Sequence, residues 1–126
     1  GLEFGWYNPV AATQITFEAL PPLSEVFEDK QIAVESMWQL AEVFRGDWAK
    51  REGWGWHSDT DWDLFLKTAF DIGQLTKELT AADVLTNDWV AGINDFDHEA
   101  VRTAAADYEL SADFASLTQP EGAGSE

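Results

Sequence analysis

The feature that most constrains the fold is an apolar stripe at helical spacing in the first half of the chain. Six apolar side chains recur at intervals of three, four and seven residues: Phe27, Val34, Met37, Trp38, Ala41 and Phe44. Such spacing places them on one face of an α-helix. Ser24 is a suitable N-cap and Gly46 follows the pattern, so the sequence predicts an amphipathic helix over residues 24–45.

Further helices are predicted in the second half of the chain. Thr60 and Thr80 each have an Asp three residues later, the pattern of a capping box, and they begin predicted helices over 60–79 and 81–91. A fourth helix begins at Asp97, and a short helical turn follows Ser111. The predicted fold is mostly α: a single small helical domain of four to five helices over residues 24–118. Gly73 is expected inside the second helix, where it would allow close approach of a neighbouring helix.

The two ends of the chain are predicted to lie outside this helical domain. Residues 1–23 contain Gly5, Pro9 and the Pro21–Pro22 pair, which break regular structure, and they are expected to form an extended N-terminal arm. Apolar and polar residues alternate over 15–20, which fits one short strand within the arm. Residues 119–126 are rich in Pro, Gly, Ser and Glu, and the prediction there is a disordered acidic tail.

A tryptophan-rich stretch joins the first two predicted helices. Residues 48–62 contain four of the seven tryptophans and two of the seven basic residues. Such indoles either cover the open end of a helical core or form the centre of a protein interface, where Trp and Arg are enriched. Because Gly53 and Gly55 flank them, Trp54 and Trp56 are expected to stay partly exposed and to contact a partner.

The charge balance limits the classes of partner. The chain has 24 acidic and 7 basic residues, a net charge of -17. This charge repels nucleic acid and anionic membranes, whose binding relies on Lys and Arg. The acidity has two interpretations. It is either adaptation to a high-salt cytoplasm, where salt screens the repulsion, or imitation of a polyanion that occupies the basic site of a nucleic-acid-handling protein.

No pattern of catalytic or metal-binding residues stands out. The chain has no Cys, which excludes disulfides, thiolate nucleophiles and Cys-type zinc sites. The acidic run after His57 has Leu64 and Phe70 where a calcium loop requires Gly and Glu, so its Asp residues are interpreted as charges that favour a helix N-terminus. Among 24 carboxylates, no pair is distinguishable as a glycosidase pair. We expect no enzyme activity, no metal and no cofactor.

Residues 99–114 resemble the first helix, the turn and the start of the second helix of a helix-turn-helix. The second helix of such a motif reads DNA with Arg, Lys, Asn or Gln. Here it offers Ser111, Ala112, Asp113 and Phe114 instead. The expected use of this segment is packing or protein contact, and a helix-turn-helix-like regulator is the third functional hypothesis.

The leading hypothesis is a non-catalytic, acidic interaction module that binds a basic protein partner. It would act as a nucleic-acid mimic or inhibitor of the kind that viruses and mobile elements encode. The alternative is a halophile-adapted structural or assembly subunit, which would form a homo-oligomer. Two sets of partner-binding residues are predicted: Trp48, Lys50, Arg51, Trp54 and Trp56 in the tryptophan-rich stretch, and Glu25, Glu28, Asp29, Glu35 and Glu42 on the acidic helix faces.

Neither a signal-peptide pattern nor an 18-residue apolar run is found, which favours a cytoplasmic location and no membrane span.

Overall fold

The computed structural model describes residues 1–125, and these residues form nine α-helices and one 3-10 turn with no β-strand. The α-helices are α1 (Leu2–Tyr7), α2 (Pro9–Ala19), α3 (Leu23–Val26), α4 (Lys30–Arg45), α5 (Asp59–Asp71), α6 (Ala81–Val84), α7 (Val90–Ile93), α8 (His98–Ala106) and α9 (Ala112–Ala115), and the 3-10 turn spans Trp48–Lys50. The predicted mostly α fold is therefore confirmed. The chain divides into two compact units: unit 1 comprises residues 1–46 and the segment from residue 97 onward, and unit 2 comprises residues 47–96.

The N-terminal segment is helical, so the prediction of an extended arm over residues 1–23 is wrong. Pro9 begins α2 instead of breaking a helix, because the first position of a helix needs no N–H donor. The Asn8 side chain caps this helix by accepting the Ala11 N–H at 2.9 Å. The chain therefore turns sharply between α1 and α2 without leaving helical structure for more than one residue.

The core of unit 1 is built from α2, α4 and α9. Val10 and Phe17 of α2 pack with Val34 of α4 and Phe114 of α9. Val10 and Phe17 are seven residues apart, which is two helical turns, and this spacing replaces the strand predicted over 15–20. Phe114 is buried, so α9 packs on unit 1 through this residue, while its exposed residues Ala112, Asp113 and Ala115 include none of the Arg, Lys, Asn or Gln side chains with which a DNA-reading helix contacts bases.

Helix α1 is central to unit 1, since it contacts α2, α4 and α8. Trp6 of α1 stacks on Trp38 of α4 with a ring separation of 4.3 Å. On the side of α8, Glu3 is buried and its Oε2 lies 2.7 Å from His98 Nδ1. The segment predicted as a peripheral arm therefore supplies the element against which the other helices of unit 1 pack.

The C-terminal segment packs on α1, so the predicted disorder is wrong for residues 119–125. The Gly124 N–H donates to the Trp6 carbonyl at 2.9 Å, and the indole N–H of Trp6 donates to the Ser125 carbonyl at 3.2 Å. Pro120 is buried. Gly124 has φ +72, a conformation that favours glycine, so one of the residues that suggested disorder fits a specific turn. The last residue of the predicted tail, Glu126, lies outside the described residues.

The helices of unit 2 are shorter than predicted. Helix α5 ends at Asp71, and Gly73 follows with φ +78 and open space where a side chain would lie. Gly73 therefore terminates the helix and does not admit a neighbouring one. The helix predicted over 81–91 is divided into α6 and α7 by non-helical residues 85–89.

None of the helices within residues 1–125 has the length and apolar character that crossing a bilayer requires.

Candidate functional site

The tryptophan-rich loop of unit 2 is held in place by the side chain of Asn94. The Trp54 N–H donates to Asn94 Oδ1 at 2.8 Å, and Asn94 Nδ2 donates to the Trp54 carbonyl at 2.9 Å. The same amide also donates to the Val90 carbonyl at 2.7 Å. Both backbone groups of a buried residue are thereby satisfied by one side chain, which ties the loop to the end of α7.

The glycines of the loop are required by this close approach. At Gly53, φ is +138 and a Cβ would lie 2.6 Å from the Asn94 side chain. At Gly55, φ is +81 and a Cβ would lie 2.7 Å from Ile93 Cδ1. The alternation of Gly and Trp therefore lets the α7 segment contact the loop backbone directly. It does not make the loop flexible.

A second asparagine holds the loop in the same way, three residues further along. The His57 N–H donates to Asn87 Oδ1 at 2.9 Å, and Asn87 Nδ2 donates to the His57 carbonyl at 2.8 Å. Asn87 and Asn94 thus fix the two ends of the segment 54–57. No sequence pattern singled out these asparagines, because a side chain that pairs with a distant backbone leaves no local periodicity.

The indoles of the loop differ in their exposure. Trp54 is only 6% exposed and packs on Trp48, with ring centroids 4.8 Å apart. The prediction that Trp54 stays exposed and contacts a partner is therefore wrong, because the Asn94 contacts draw it inward. Trp56 and Trp62 are half-buried. Among residues 1–125, the most exposed large apolar side chain is Trp89, at 73%.

Trp56 and Trp62 line a cleft of about 530 Å³ in unit 2. Its other lining residues are polar or charged: Asp47, Lys50, Arg51, His57, Ser58 and Asp61. Three of the five predicted partner-binding residues of the loop, Lys50, Arg51 and Trp56, are therefore brought together here, whereas Trp54 lies in the interior and Trp48 packs on it. Its volume lies within the range of small-ligand pockets, and its lining is more polar than theirs usually is.

The polar side chains of this cleft are fixed by contacts with one another and with the backbone. Lys50 Nζ lies 2.6 Å from Asp47 Oδ2, and this hydrogen bond to a carboxylate raises the pKa of Lys50 above its ordinary value. An Arg51 Nη1–H donates to the Trp56 carbonyl at 3.3 Å. The indole N–H of Trp62 donates to His57 Nδ1 at 3.2 Å. In this contact the indole donates and Nδ1 of His57 accepts.

The five predicted acidic residues all belong to unit 1. Glu25 lies in α3, Glu28 and Asp29 precede α4, and Glu35 and Glu42 lie on α4 two turns apart. All five side chains are exposed. Asp29 caps α4 by accepting the Gln31 N–H at 2.8 Å, and Glu35 accepts a bond from the Gln31 side chain at 3.1 Å. All five predicted residues are therefore accessible, and two of them, Asp29 and Glu35, also make hydrogen bonds within α4 or at its start.

Unit 1 also contains an apolar groove that the sequence did not predict. The groove has a volume of about 780 Å³ and is lined by Gly1 and by residues of α1, α2, α4 and α8, nearly all apolar: Leu2, Phe4, Gly5, Ala12, Ile15, Thr16, Met37, Leu40, Ala41, Ala100, Val101 and Ala104. No charged side chain lines it. Asp97 and Asp107 are the N-cap and C-cap residues of α8, and the Asp97 carboxylate accepts the Ala100 N–H at 2.9 Å. The helix that contributes Ala100, Val101 and Ala104 to the groove therefore has an acidic residue at each end.

The basic side chains of unit 1 are drawn into internal contacts. Lys30 pairs with Asp113 at 2.8 Å and lies over the Phe114 ring. The Arg45 guanidinium lies 4.1 Å from the centre of the Trp6 ring, and that of Arg102 lies 5.3 Å from the Tyr7 ring. These are the three basic residues of unit 1. Each of these cations therefore contacts a carboxylate or an aromatic ring of the same unit.

Residues 1–125 contain no group of three or more His, Cys, Asp or Glu side chains placed to share a metal ion. The residues after His57 instead make contacts within unit 2. Ser58 caps α5, and Asp63 Oδ1 accepts the N–H of Ala81, the first residue of α6, at 2.7 Å. No known family, curated protein sequence or solved structure matches this chain.

Proposed function

We propose that the protein is a non-catalytic interaction module, and that unit 1 binds a basic, amphipathic helical segment of a partner protein in its apolar groove. The observation that carries this proposal is the groove itself: about 780 Å³, without a charged lining residue, and open between α1, α2, α4 and α8. Grooves of this kind commonly receive the apolar face of a helix. An apolar surface left open in a soluble domain is typically a contact site.

The electrostatics of the protein select a basic partner. The chain has a net charge of -17, and the three cations of unit 1 are engaged in internal contacts. Asp97 and Asp107 flank the groove wall on α8. The exposed acids Glu25, Glu28, Asp29, Glu35 and Glu42 extend this negative surface and would steer a basic segment toward the unit. The groove binds the apolar face of the partner helix, and the acidic residues select a helix whose other face is basic.

The experiment uses a synthetic amphipathic helix of Leu and Lys, about four turns long, and a matched peptide in which Glu replaces every Lys. Fluorescence anisotropy measures the binding of both to the full chain. We expect the Lys peptide to bind at least tenfold more tightly than the Glu peptide at about 0.15 M salt, and its affinity to fall as salt rises. Equal binding of the two peptides would refute the selection by charge.

Two substitutions on α8 locate the site. Ala104 lines the groove, whereas Ala106 is exposed on the same helix outside it. Ala104→Arg places a long cation in the groove and should weaken binding of the Lys peptide at least tenfold. Ala106→Arg makes the same change in charge and should leave binding nearly unchanged. If both variants weaken binding equally, the groove is not the binding site.

A structural-subunit function is the second candidate, and the apolar face of α5 favours it. Leu64, Phe65 and Ile72 are 67%, 59% and 65% exposed. Self-association of a chain with charge -17 requires screening, since the Debye length falls from about 8 Å at 0.15 M salt to about 3 Å at 1 M. Light scattering across this range tests the idea: oligomers that form in molar KCl and are lost in Phe65→Asp, but not in Thr76→Asp, would support it. A monomer throughout would exclude it.

A further inference from the structure

We propose that the cleft of unit 2 between Trp56 and Trp62 binds a neutral saccharide of one or two rings. The proposal is independent of the groove in unit 1 and assigns the cleft a small-molecule ligand in place of a protein. Three features of the cleft support it: a backbone fixed before binding, two indole surfaces, and polar side chains whose charges cancel.

The cleft is organised before any ligand arrives. Asn94 and Asn87 bind the backbones of Trp54 and His57 by paired hydrogen bonds of 2.8–2.9 Å. Gly53 approaches Asn94 so closely that a Cβ would collide with it. A loop fixed at both ends loses little conformational freedom on binding, so weak individual contacts add up to measurable affinity.

The two indoles offer apolar surfaces in a cleft that is otherwise polar. Trp56 and Trp62 are half-buried, so part of each side chain is accessible. Trp62 makes T-shaped ring contacts with His57 and Phe65, with ring centroids 5.9 and 5.6 Å away, and its N–H is engaged by His57. A ligand would therefore meet the ring carbons of Trp62 and not its N–H. The C–H face of a pyranose ring is a suitable partner for such an indole surface, because indoles combine apolar area with a negative π-face.

The charges of the cleft select a neutral ligand. Asp47 and Asp61 carry two negative charges, and Lys50 and Arg51 carry two positive ones. A ligand with a net charge of either sign would therefore be repelled by as many charged side chains as would attract it. A polyhydroxylated ring both donates and accepts hydrogen bonds, which matches carboxylates, cations and the Ser58 hydroxyl placed side by side. The volume of about 530 Å³ lies within the range of small-ligand pockets.

The test is an NMR titration of the full chain with maltose, cellobiose and diacetylchitobiose, following the indole N–H signals of the seven tryptophans. We expect saturable shifts of the Trp56 and Trp62 signals with at least one disaccharide, and no shift of Trp89, which lies outside the cleft lining. Inorganic phosphate and tetramethylammonium serve as charged probes. The proposal is overturned if no disaccharide shifts the two signals at about 10 mM, a concentration that detects millimolar dissociation constants. It is also overturned if a charged probe shifts them and the saccharides do not.

Variants separate binding from folding. Trp56→Ala should reduce saccharide affinity at least tenfold, and Trp56→Phe, which keeps an aromatic face, should retain part of it. Trp89→Ala removes an indole that is 73% exposed and should bind as the unmodified chain does. Asp61→Ala removes one acceptor without touching an indole and should also weaken binding. If Trp56→Ala and Asp61→Ala both fold, as circular dichroism would show, and both bind normally, the cleft is not the site.

Discussion

The two units are stabilised in different ways. In unit 1, side chains from distant parts of the sequence pack on one another: Trp6 stacks on Trp38, and Phe17 and Phe114 meet edge to face. In unit 2, the ring contacts Trp48–Trp54 and Trp62–Phe65 join residues close in sequence, and side-chain bonds to the backbone join more distant segments: Asn94 pairs with Trp54, and Asp63 binds the Ala81 N–H. Unit 1 has one such pair as well, since Gln31 binds both backbone groups of Thr118. A unit of about 50 residues buries limited apolar area and needs additional ties. Polar clamps provide those ties in unit 2, and they also shape its cleft.

The largest expected effect follows from removing an aromatic ring from unit 1. Trp38 is 5% exposed and packs against Trp6, over which Arg45 lies. Trp38→Ala should lower the free energy of unfolding by about 3–5 kcal/mol, the usual cost of truncating a buried aromatic residue. Urea unfolding followed by circular dichroism measures it.

Trp89→Ala is the matched control for Trp38→Ala. The same truncation at this exposed indole should change the free energy of unfolding by less than about 0.5 kcal/mol. If the two variants lost similar free energies of unfolding, Trp89 would have to be covered in solution, and unit 2 would not be packed less tightly than unit 1.

The second prediction removes a polar clamp from unit 2. Asn94→Ala leaves the Trp54 N–H and carbonyl without their partner, and each unsatisfied buried group costs about 1–3 kcal/mol. We expect a total loss of about 2–3 kcal/mol in the free energy of unfolding, measured by urea unfolding. Asn87→Ala should cost less than about 1 kcal/mol, because His57 is exposed and water can replace the lost bonds. If Asn94→Ala lowered the free energy of unfolding less than Asn87→Ala does, the Trp54 backbone would not depend on Asn94.

The third prediction tests whether the loop glycines serve the clamp. Gly53 and Gly73 both have positive φ, but a Cβ at Gly53 meets Asn94 at 2.6 Å, whereas a Cβ at Gly73 meets nothing within 4 Å. Gly73→Ala reports the backbone cost alone, about 1 kcal/mol. Gly53→Ala should cost at least about 1 kcal/mol more by urea unfolding. In a double-mutant cycle with Asn94→Ala, this additional cost of Gly53→Ala should shrink, because the Asn94 side chain that the new Cβ meets has been removed. An unchanged additional cost would locate the strain elsewhere.

The sequence predicted the local parts of this fold better than the distant contacts. The helix predicted over 24–45 is present from Lys30 to Arg45 as α4, where its apolar stripe has a clear period, but its predicted start is wrong: residues 27–29 are not helical, and Asp29 caps α4 in place of Ser24. The capping box at Thr80 and Asp83 is present in α6. Pro9 was misread because the same residue that breaks a helix interior also begins a helix, and Asn8, its cap, was overlooked.

The candidate sites could be predicted only in part for the same reason. Lys50, Arg51 and Trp56 were identified because basic and aromatic residues cluster in the sequence itself. The groove of unit 1 escaped prediction because it is assembled from four helices whose small residues, such as Gly5 and Ala104, look unremarkable one segment at a time. Trp54 was assigned to the surface because its partner Asn94 lies 40 residues away. Contacts between segments decide which aromatic residues of the loop reach solvent.

The smallest effect concerns two carboxylates whose pKa is lowered for different reasons. In unit 1, the hydrogen bond and charge of Lys30 lower the pKa of Asp113. In unit 2, hydrogen bonds from the Thr80 backbone and hydroxyl lower the pKa of Asp83. A lowered pKa in the folded state means that each carboxylate contributes stability above its unfolded pKa, near 3.9, and that this contribution is lost as pH falls through the lower, folded pKa.

Salt separates the two cases. The attraction between Lys30 and Asp113 acts between solvent-accessible charges and is screened as salt rises, whereas the short-range bonds from Thr80 to Asp83 are affected much less. Carboxyl NMR titrations at about 0.05 M and 0.5 M KCl should therefore show the pKa of Asp113 returning toward its ordinary value while that of Asp83 stays low. Thr80→Ala, which removes only the hydroxyl bond, should raise the pKa of Asp83 and leave that of Asp113 in place. Equal salt shifts at both residues would mean that charge, and not the clamp-like bonding of unit 2, sets the ionisation of Asp83.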